Sequence, residues 1–156
     1  MSLNPLTLKL IIAANLKRRP LWKVKPVEDF FDLTRSKVMA RIESGEFPWA
    51  FNIGLGKKSE PRILGYSVME SVLGPFEGIG ATKNLQLPEV INLILPKRDV
   101  RSTELKRLLS CNSDHVQNLI PQLAVTKKPT AKDGPYSYTV FSRASVASFL
   151  EKRRMV

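Results

Sequence analysis

Cysteine and histidine are nearly absent from this chain of 156 residues, which contains one of each. The single cysteine, Cys111, excludes an internal disulfide bond. One cysteine and one histidine are also too few to form a zinc site of the Cys/His type within one chain. We therefore expect no metal and no cofactor.

Long apolar runs are also missing. The longest, residues 10–14 and 90–95, are far shorter than the roughly 20 residues that a helix needs to cross a bilayer. Lys9 interrupts the apolar residues near the start of the chain, which is not the pattern of a signal peptide. We expect no membrane association and a cytoplasmic location.

Acidic side chains are scarce relative to basic ones. The chain has 14 Asp and Glu against 25 Lys and Arg, a net charge of +11. Residues 1–95 carry 13 basic and 9 acidic side chains, whereas residues 96–156 carry 12 and 5. Such a balance favours a polyanionic partner such as nucleic acid. The sequence shows no paired acids and no activated nucleophile, so no enzyme activity is predicted.

What the chain does contain is one apolar pattern that occurs twice. When the chain is shifted along itself by half its length, without gaps, so that Met1 lies on Ile79, residue class is preserved although identity is not. The matched positions are Val27 and Leu105, Phe30 and Leu108, Phe31 and Leu109, Leu33 and Cys111, Val38 and Val116, Ile42 and Ile120, Phe47 and Val125, Ile63 and Phe141, Val68 and Val146, and Val72 and Leu150. The pattern predicts two similar units, residues 1–78 and 79–156, with Cys111 packed as a small hydrophobic residue. The alternative is that two unrelated helical segments agree by accident.

Caps, prolines and periodicity predict the elements of each unit. In the first unit we expect helices over 4–17, 26–31, 34–45 and 67–73, with strands over 21–25, 49–53 and 62–66. In the second we expect helices over 88–95, 102–109 and 112–121, strands over 123–128 and 136–141 around a loop at 129–135, and a helix capped by Ser142 or Ser145. The fold class is therefore mainly α with small β hairpins (α+β), arranged as two tandem units. In each, a tight turn joins two helices and a hairpin, or wing, follows.

The helix that begins at Thr34 is the best candidate for reading DNA. Its apolar side holds Val38, Met39 and Ile42. The opposite side and the helix start present Arg35, Ser36, Lys37, Ala40, Arg41 and Ser44. Lys37 and Arg41 can reach phosphates or guanine edges, Arg35 can contact a phosphate or a base, and Ala40 permits close approach in a major groove. The alternative is an ordinary solvated helix face.

The second unit and the two hairpins add further candidates. In the matching helix, Asn112 is the expected cap, His115 can contact phosphate or guanine, and Asn118 can pair with adenine, although Asp114 would repel phosphates. A catalytic His115 is the other interpretation, but no nucleophile or carboxylate partner is evident. The hairpins contribute Lys57, Lys58 and Arg62 in the first unit and Lys127, Lys128 and Lys132 in the second, either as backbone contacts or as solvated surface charges.

The segment from Leu33 to Pro48, LTRSKVMARIESGEFP, resembles the winged helix-turn-helix of excisionase and MerR-type DNA-binding proteins. In that family a leucine ends the first helix, a small polar residue starts the recognition helix, and a Ser-Gly-X-hydrophobic-Pro turn leads to the wing. The resemblance covers about residues 21–73, and residues 142–150 look like the helix that closes such a domain. It assigns DNA contacts to Arg35, Ser36, Lys37, Arg41, Lys57 and Lys58. The second unit departs from the pattern at Pro121 and Leu123, which indicates an altered surface there.

The resemblance implies site-specific binding to double-stranded DNA, in transcription regulation or as an excisionase-like recombination directionality factor of a mobile element. We therefore predict a nucleoid-associated, sequence-specific DNA-binding protein. Besides DNA, the predicted partner is a second copy of the chain, a recombinase or another regulatory protein. The alternative is that one unit binds DNA while the other is a dimerisation or protein-interaction module, with the apolar segments 8–16 and 90–95 as its docking surface.

Overall fold

The computed structural model describes residues 4–128 and 139–155. The helices in it are α1 (Pro5–Arg18), α2 (Val24–Phe31), α3 (Arg35–Glu43), α4 (Gly65–Leu73), α5 (Leu87–Ile94), α6 (Ser102–Leu108), α7 (Ser113–Leu119) and α8 (Arg143–Lys152). The strands are β1 (Leu21–Lys23), β2 (Ala50–Asn52), β3 (Pro61–Leu64), β4 (Val100–Arg101), β5 (Val125–Lys127) and β6 (Val140–Phe141). A mainly helical α+β fold with small antiparallel sheets is thus confirmed. Within the described ranges, no helix is long and apolar enough to cross a membrane.

The turn between α2 and α3 was predicted closely. Asp32 adopts a left-handed conformation, with φ of 53°, and ends α2. The Thr34 hydroxyl caps α3 by accepting a hydrogen bond from the Lys37 N–H at 3.4 Å, which satisfies a donor that the helix itself leaves unpaired. Val38 and Ile42 are buried as expected. The helix pair is therefore fixed by signals that are local in the sequence.

Two helices of the first unit begin earlier than predicted. α2 starts at Val24 and not at Pro26, because proline is tolerated within a first turn, where its missing N–H is not needed. α4 starts at Gly65, two residues before the predicted Ser67 cap. A Cβ on Gly65 would lie 2.6 Å from Leu16 Cδ2 and 2.7 Å from Trp22 Nε1. Only glycine permits this close contact between α1, β1 and the start of α4.

The element order of the first half recurs in the second. The sheets have strand orders β1-β3-β2 and β4-β6-β5, and all pairs are antiparallel. The pair Trp22 with Ile63 returns under the same shift as Val100 with Phe141. The left-handed Asp32 likewise returns as Ser110, with φ of 51°. The repeated apolar pattern is therefore accompanied by a repeated backbone arrangement.

The second half departs from this arrangement after α7. Pro121 lies in a single 3-10 turn, Ile120–Gln122, because its ring opposes continuation of the α-helix. β5 then pairs three residues earlier than the shift places it, so that Val125 and not residue 128 lies opposite Phe141. Strand β4 was not predicted. The predicted loop at 129–135 and the start of the predicted strand at 136–141 lie outside the described residues.

The two halves share one hydrophobic core. A smaller cluster, including Val27, Val38 and Phe47, lies within the first half. The larger cluster combines residues from both sides of position 78, such as Leu64, Tyr66, Leu105 and Phe141. Val90, Ile91, Ile94 and Leu95 are buried in this core, so the expectation that segment 90–95 offers an external docking surface is wrong.

Candidate nucleic-acid interface

The outward face of α3 combines basic and small side chains on a helix that is anchored from below. Arg35, Ser36, Lys37 and Ala40 are all exposed, while Val38 and Ile42 are buried. Because the Thr34 cap and the two buried residues fix both the start and the rotation of the helix, the exposed residues face away from the core. The predicted recognition face is therefore accessible to a large ligand.

Arg41 is held differently from its neighbours. Its guanidinium lies 5.2 Å from the ring centroid of Phe31 and 6.0 Å from that of Phe47. Its Nε is 3.5 Å from a carboxylate oxygen of Glu46. Arg41 thus packs across the end of the helix, where its side chain is only 31% exposed. A neighbouring residue of the predicted face, the exposed Ser44, closes this turn by donating to the Arg41 carbonyl at 3.1 Å.

The first hairpin is ordered by hydrogen bonds between the Asn52 side chain and the loop backbone. Asn52 Oδ1 accepts hydrogen bonds from the N–H groups of Gly54 and Glu60, both at 2.9 Å. A Cβ on Gly54 would clash with the Lys58 carbonyl oxygen, so the loop can close in this way only with glycine there. Lys57 and Lys58 are exposed near the tip, as a backbone-contacting wing requires.

Arg62 is not a wing cation, and this prediction is wrong. The residue is 6% exposed. Its Nε donates to the Leu109 carbonyl at 2.8 Å, and its Nη2 donates to the Ser110 carbonyl at 3.0 Å. Burial lowers the pKa of Arg62. Its side chain is used to join the first sheet to the turn between α6 and α7, which leaves it unavailable to phosphate.

His115 is likewise taken up inside the molecule, contrary to the prediction that it contacts DNA. Its side chain is 11% exposed, with Nδ1 3.2 Å from Glu60 Oε2. Its Nε2 lies 2.8 Å from the Ile53 carbonyl oxygen. The face of α7 around His115 therefore rests against the first hairpin. The sequence did not indicate Glu60 as its partner, since the two residues lie in different halves of the chain.

Four other predicted site residues of the second unit are exposed. Asn112 caps α7 as predicted, accepting a hydrogen bond from the His115 N–H at 2.8 Å. Asn118, Lys127 and Lys128 are exposed. Lys132 lies outside the described residues. This half thus retains a few accessible polar groups, but His115, on the helix that matches α3, is in contact with the first hairpin.

Sequence reasoning missed a third link between the halves. The Asn52 N–H donates to the Arg153 carbonyl, and the Met155 N–H donates to the Ala50 carbonyl, each at 2.8 Å. Residues 153–155 therefore run along the free side of β2, and the Arg154 guanidinium lies 3.8 Å from the Trp49 ring centroid. No pattern in the sequence marks this pairing. Together with Arg62 and His115, it fixes the second half against the first hairpin.

No group of three or more His, Cys, Asp or Glu side chains that could hold a metal occurs in the described part of the chain. Comparisons with family models, with curated proteins and with solved structures find no match to this chain. The functional argument therefore depends on the geometry of α3, the first hairpin and the contacts that fix them.

Proposed function

We propose that the chain is a sequence-specific, double-stranded DNA-binding protein of two tandem winged helix-turn-helix units, acting in transcription regulation or as an excisionase-like directionality factor. In this proposal α3 enters the major groove and the first hairpin follows the phosphate backbone. The proposal assigns the protein to the cytoplasm, associated with the nucleoid, and gives it no catalytic step.

One observation carries the proposal: α3 exposes Arg35, Lys37 and Ala40 on a capped helix whose opposite side is buried. Helix N-terminal residues that project in this way are the ones that meet base edges in helix-turn-helix proteins. The exposed Lys57 and Lys58 supply positive charge on the hairpin of the same unit. The net charge of +11 supports an anionic partner independently of the fold.

The occupied face of α7 favours unequal roles for the two units. Because His115 bonds to the first hairpin, α7 cannot enter a groove in the way proposed for α3. We therefore assign DNA reading to the first unit. The second unit is assigned the role of holding the first hairpin in place through Arg62, His115 and residues 153–155.

The test is duplex binding by the double variant Arg35→Glu, Lys37→Glu. Duplexes are first selected by the full chain from a random pool, and affinity is then measured by fluorescence anisotropy. We expect the variant to bind at least about 100-fold more weakly, since each base or phosphate contact contributes about 1–3 kcal/mol. The matched control is Lys97→Glu, Lys152→Glu, which makes the same change in charge at two other exposed lysines.

An equal loss in both double variants would assign binding to net charge alone and contradict a reading role for α3. Footprinting on the selected duplex gives a second readout. If the protected region is so long that two helices must contact the major groove, the assignment of DNA reading to the first unit alone is contradicted.

A further inference from the structure

A cleft with a volume of about 850 Å³ lies between α2 and α6, on a surface that the proposed duplex contacts do not use. Its floor includes the turn that carries Ser110 and Cys111. Cations and aromatic rings define its character: Arg19, Lys23, Lys106 and Arg107, with Trp22 and Phe30. The volume falls within the range of sites that bind small organic ligands.

The charged side chains that line this cleft are all positive. No acidic side chain is among the described residues that line it. Burial raises the pKa of the Cys111 thiol to about 11, so the thiol is neutral at physiological pH and does not offset the cations. Four cations around one concave surface attract an anion, because such clefts concentrate the electrostatic potential.

Arg107 is the cation with an unused donor. Its Nε is buried and has no hydrogen-bond partner within the part of the chain that the structure describes. Buried donors are nearly always paired in folded proteins, so the unpaired Nε leaves this guanidinium, which lines both the cleft and a neighbouring pocket, with capacity for a further acceptor. A phosphate oxygen is a suitable acceptor, since arginine pairs with phosphate through short, charge-assisted hydrogen bonds.

The aromatic rings add a second, independent signal. Phe30 is 51% exposed, whereas Leu108, the residue at the matched position in the second half, is only 3% exposed. The Phe30 ring is fixed edge-on against Phe31, with centroids 4.9 Å apart. The Trp22 indole is oriented by its own hydrogen bond to the Arg19 carbonyl at 3.0 Å. Phe30 is thus an exposed ring and Trp22 a half-buried one, and both line the cleft beside cations. Rings beside cations are the arrangement on which nucleobases stack.

We propose that the cleft between α2 and α6 binds a nucleobase together with its phosphate, with Phe30 and Trp22 stacking on the base and Lys106 and Arg107 contacting the phosphate. The ligand is either a free nucleotide or a segment of single-stranded nucleic acid, which share this chemistry. The inference goes beyond the proposed duplex binding, because α3 and the first hairpin do not line the cleft.

The test uses the full chain with four probes: thymidine monophosphate, a labelled oligothymidylate octamer, the selected duplex and polyglutamate. The octamer is followed by anisotropy and the mononucleotide by competition against it. We expect Phe30→Ala to weaken octamer binding about tenfold, which is the size of one base–aromatic stack. Lys106→Gln should lower the log-log salt slope for the octamer by about 0.7, the value for one phosphate contact on a single strand.

Two matched controls separate these effects from general ones. Val72→Ala removes a similarly exposed apolar side chain on α4, and Lys97→Gln removes an exposed charge that does not line the cleft. Both should leave octamer affinity and salt slope unchanged. A circular dichroism melt of each variant verifies that it is folded at the temperature of the assay.

If the mononucleotide competes with the octamer, and Phe30→Ala weakens that competition, the ligand is a free nucleotide. If the octamer binds and the mononucleotide does not compete, the ligand is single-stranded nucleic acid. Failure of both probes to bind, binding that neither cleft variant changes, or displacement of the octamer by polyglutamate at equal charge concentration would each overturn the inference. The Arg35→Glu, Lys37→Glu variant should keep full octamer affinity while losing the duplex. Loss of both in that variant would assign the octamer to α3 and also overturn the cleft assignment.

Discussion

The helix pairs α2–α3 and α6–α7 have the same backbone arrangement but different surroundings. Both include a left-handed residue in the turn and a capped second helix. α3 leaves its basic side exposed, whereas α7 places His115 against the first hairpin. The comparison teaches that a repeated backbone does not imply a repeated binding surface, because contacts from distant parts of the chain decide which face remains free.

Matched positions in the two halves show where the difference arises. Phe30 and Val72 are about half exposed, while their counterparts Leu108 and Leu150 are buried in the shared core. The positions of Leu108 on α6 and Leu150 on α8 are thus interior, whereas the matching positions on α2 and α4 face outward. The second half provides the packing that fixes the first.

The largest expected effect is on stability, at the pair Phe30 and Leu108. Leu108→Ala removes a buried side chain from the shared core and should lower the free energy of unfolding by about 3 kcal/mol. Phe30→Ala removes an exposed ring and should cost less than about 1 kcal/mol. Urea unfolding of both variants measures the difference. Equal losses would contradict the unequal burial of the two helices.

Arg62 provides the next test, because it links the two halves directly. Arg62→Met leaves the Leu109 and Ser110 carbonyls without their donors and should lower the free energy of unfolding by about 2 kcal/mol. Lys58→Met, on the same hairpin but exposed, should change it by less than about 0.5 kcal/mol. Because Arg62 is buried, we expect Arg62→Met to leave duplex affinity unchanged at a temperature where the variant is folded.

The two hairpins carry the same Lys-Lys pair and permit a matched comparison of DNA binding. Lys57→Glu, Lys58→Glu should weaken duplex binding by about tenfold or more and reduce the salt slope by about 2. The same change at Lys127 and Lys128 should reduce affinity by less than about threefold, because α7 is not free to place its hairpin on a groove. Similar losses from the two hairpins would show that both units touch the duplex.

The smallest expected effect concerns the start of α6. Glu104 accepts a hydrogen bond from the Arg101 N–H at 3.2 Å and forms two hydrogen bonds of 2.7 Å with the Arg98 guanidinium. The matched position at the start of α2 is Pro26, whose side chain has no hydrogen-bond acceptor. Glu104→Gln should therefore lower the free energy of unfolding near neutral pH by less than about 1 kcal/mol.

This effect should depend on pH with a definite sign. The hydrogen bond from Arg98 holds the pKa of Glu104 below its ordinary value of 4.5. A depressed pKa contributes stability that is complete above the unfolded-state pKa and is lost as the pH falls through the folded-state value. The stability gap between the chain and Glu104→Gln should thus close below about pH 4.5 in urea titrations. The matched control is Glu151→Gln, which makes the same change at an exposed glutamate.

Local signals predicted much of the fold. The caps at Thr34, Asn112 and Ser142 each involve a donor three residues along the chain. The first two were predicted from sequence, and Ser142 was one of two candidates for the third. The start of α4 was misplaced because it depends on the contact of Gly65 with Trp22, far away in sequence. Strand β4 was missed because so short a strand gives no periodicity, and its pairing partner β6 lies beyond α6, α7 and β5.

The same distinction separates correct from incorrect site residues. Lys37 and Lys57 are exposed as predicted, because no part of the chain that the structure describes packs over them from a distance in sequence. Arg62 and His115 turn inward toward carbonyl groups 47 and 62 residues away. A charged side chain in a predicted hairpin gives no local sign of such a partner. Position in a motif therefore predicted the residue's element but not its accessibility.

The pairing of residues 153–155 with β2 has a consequence for biosynthesis. A ribosome makes β2 in the first half of the chain, long before it makes the segment that covers the open side of this strand. During that interval the nascent chain presents an unpaired strand edge, which is a hazard for association with other chains. The open edge of β2 is covered only after translation has passed Met155, so a premature stop just upstream would leave that edge exposed in the opposite half of the protein.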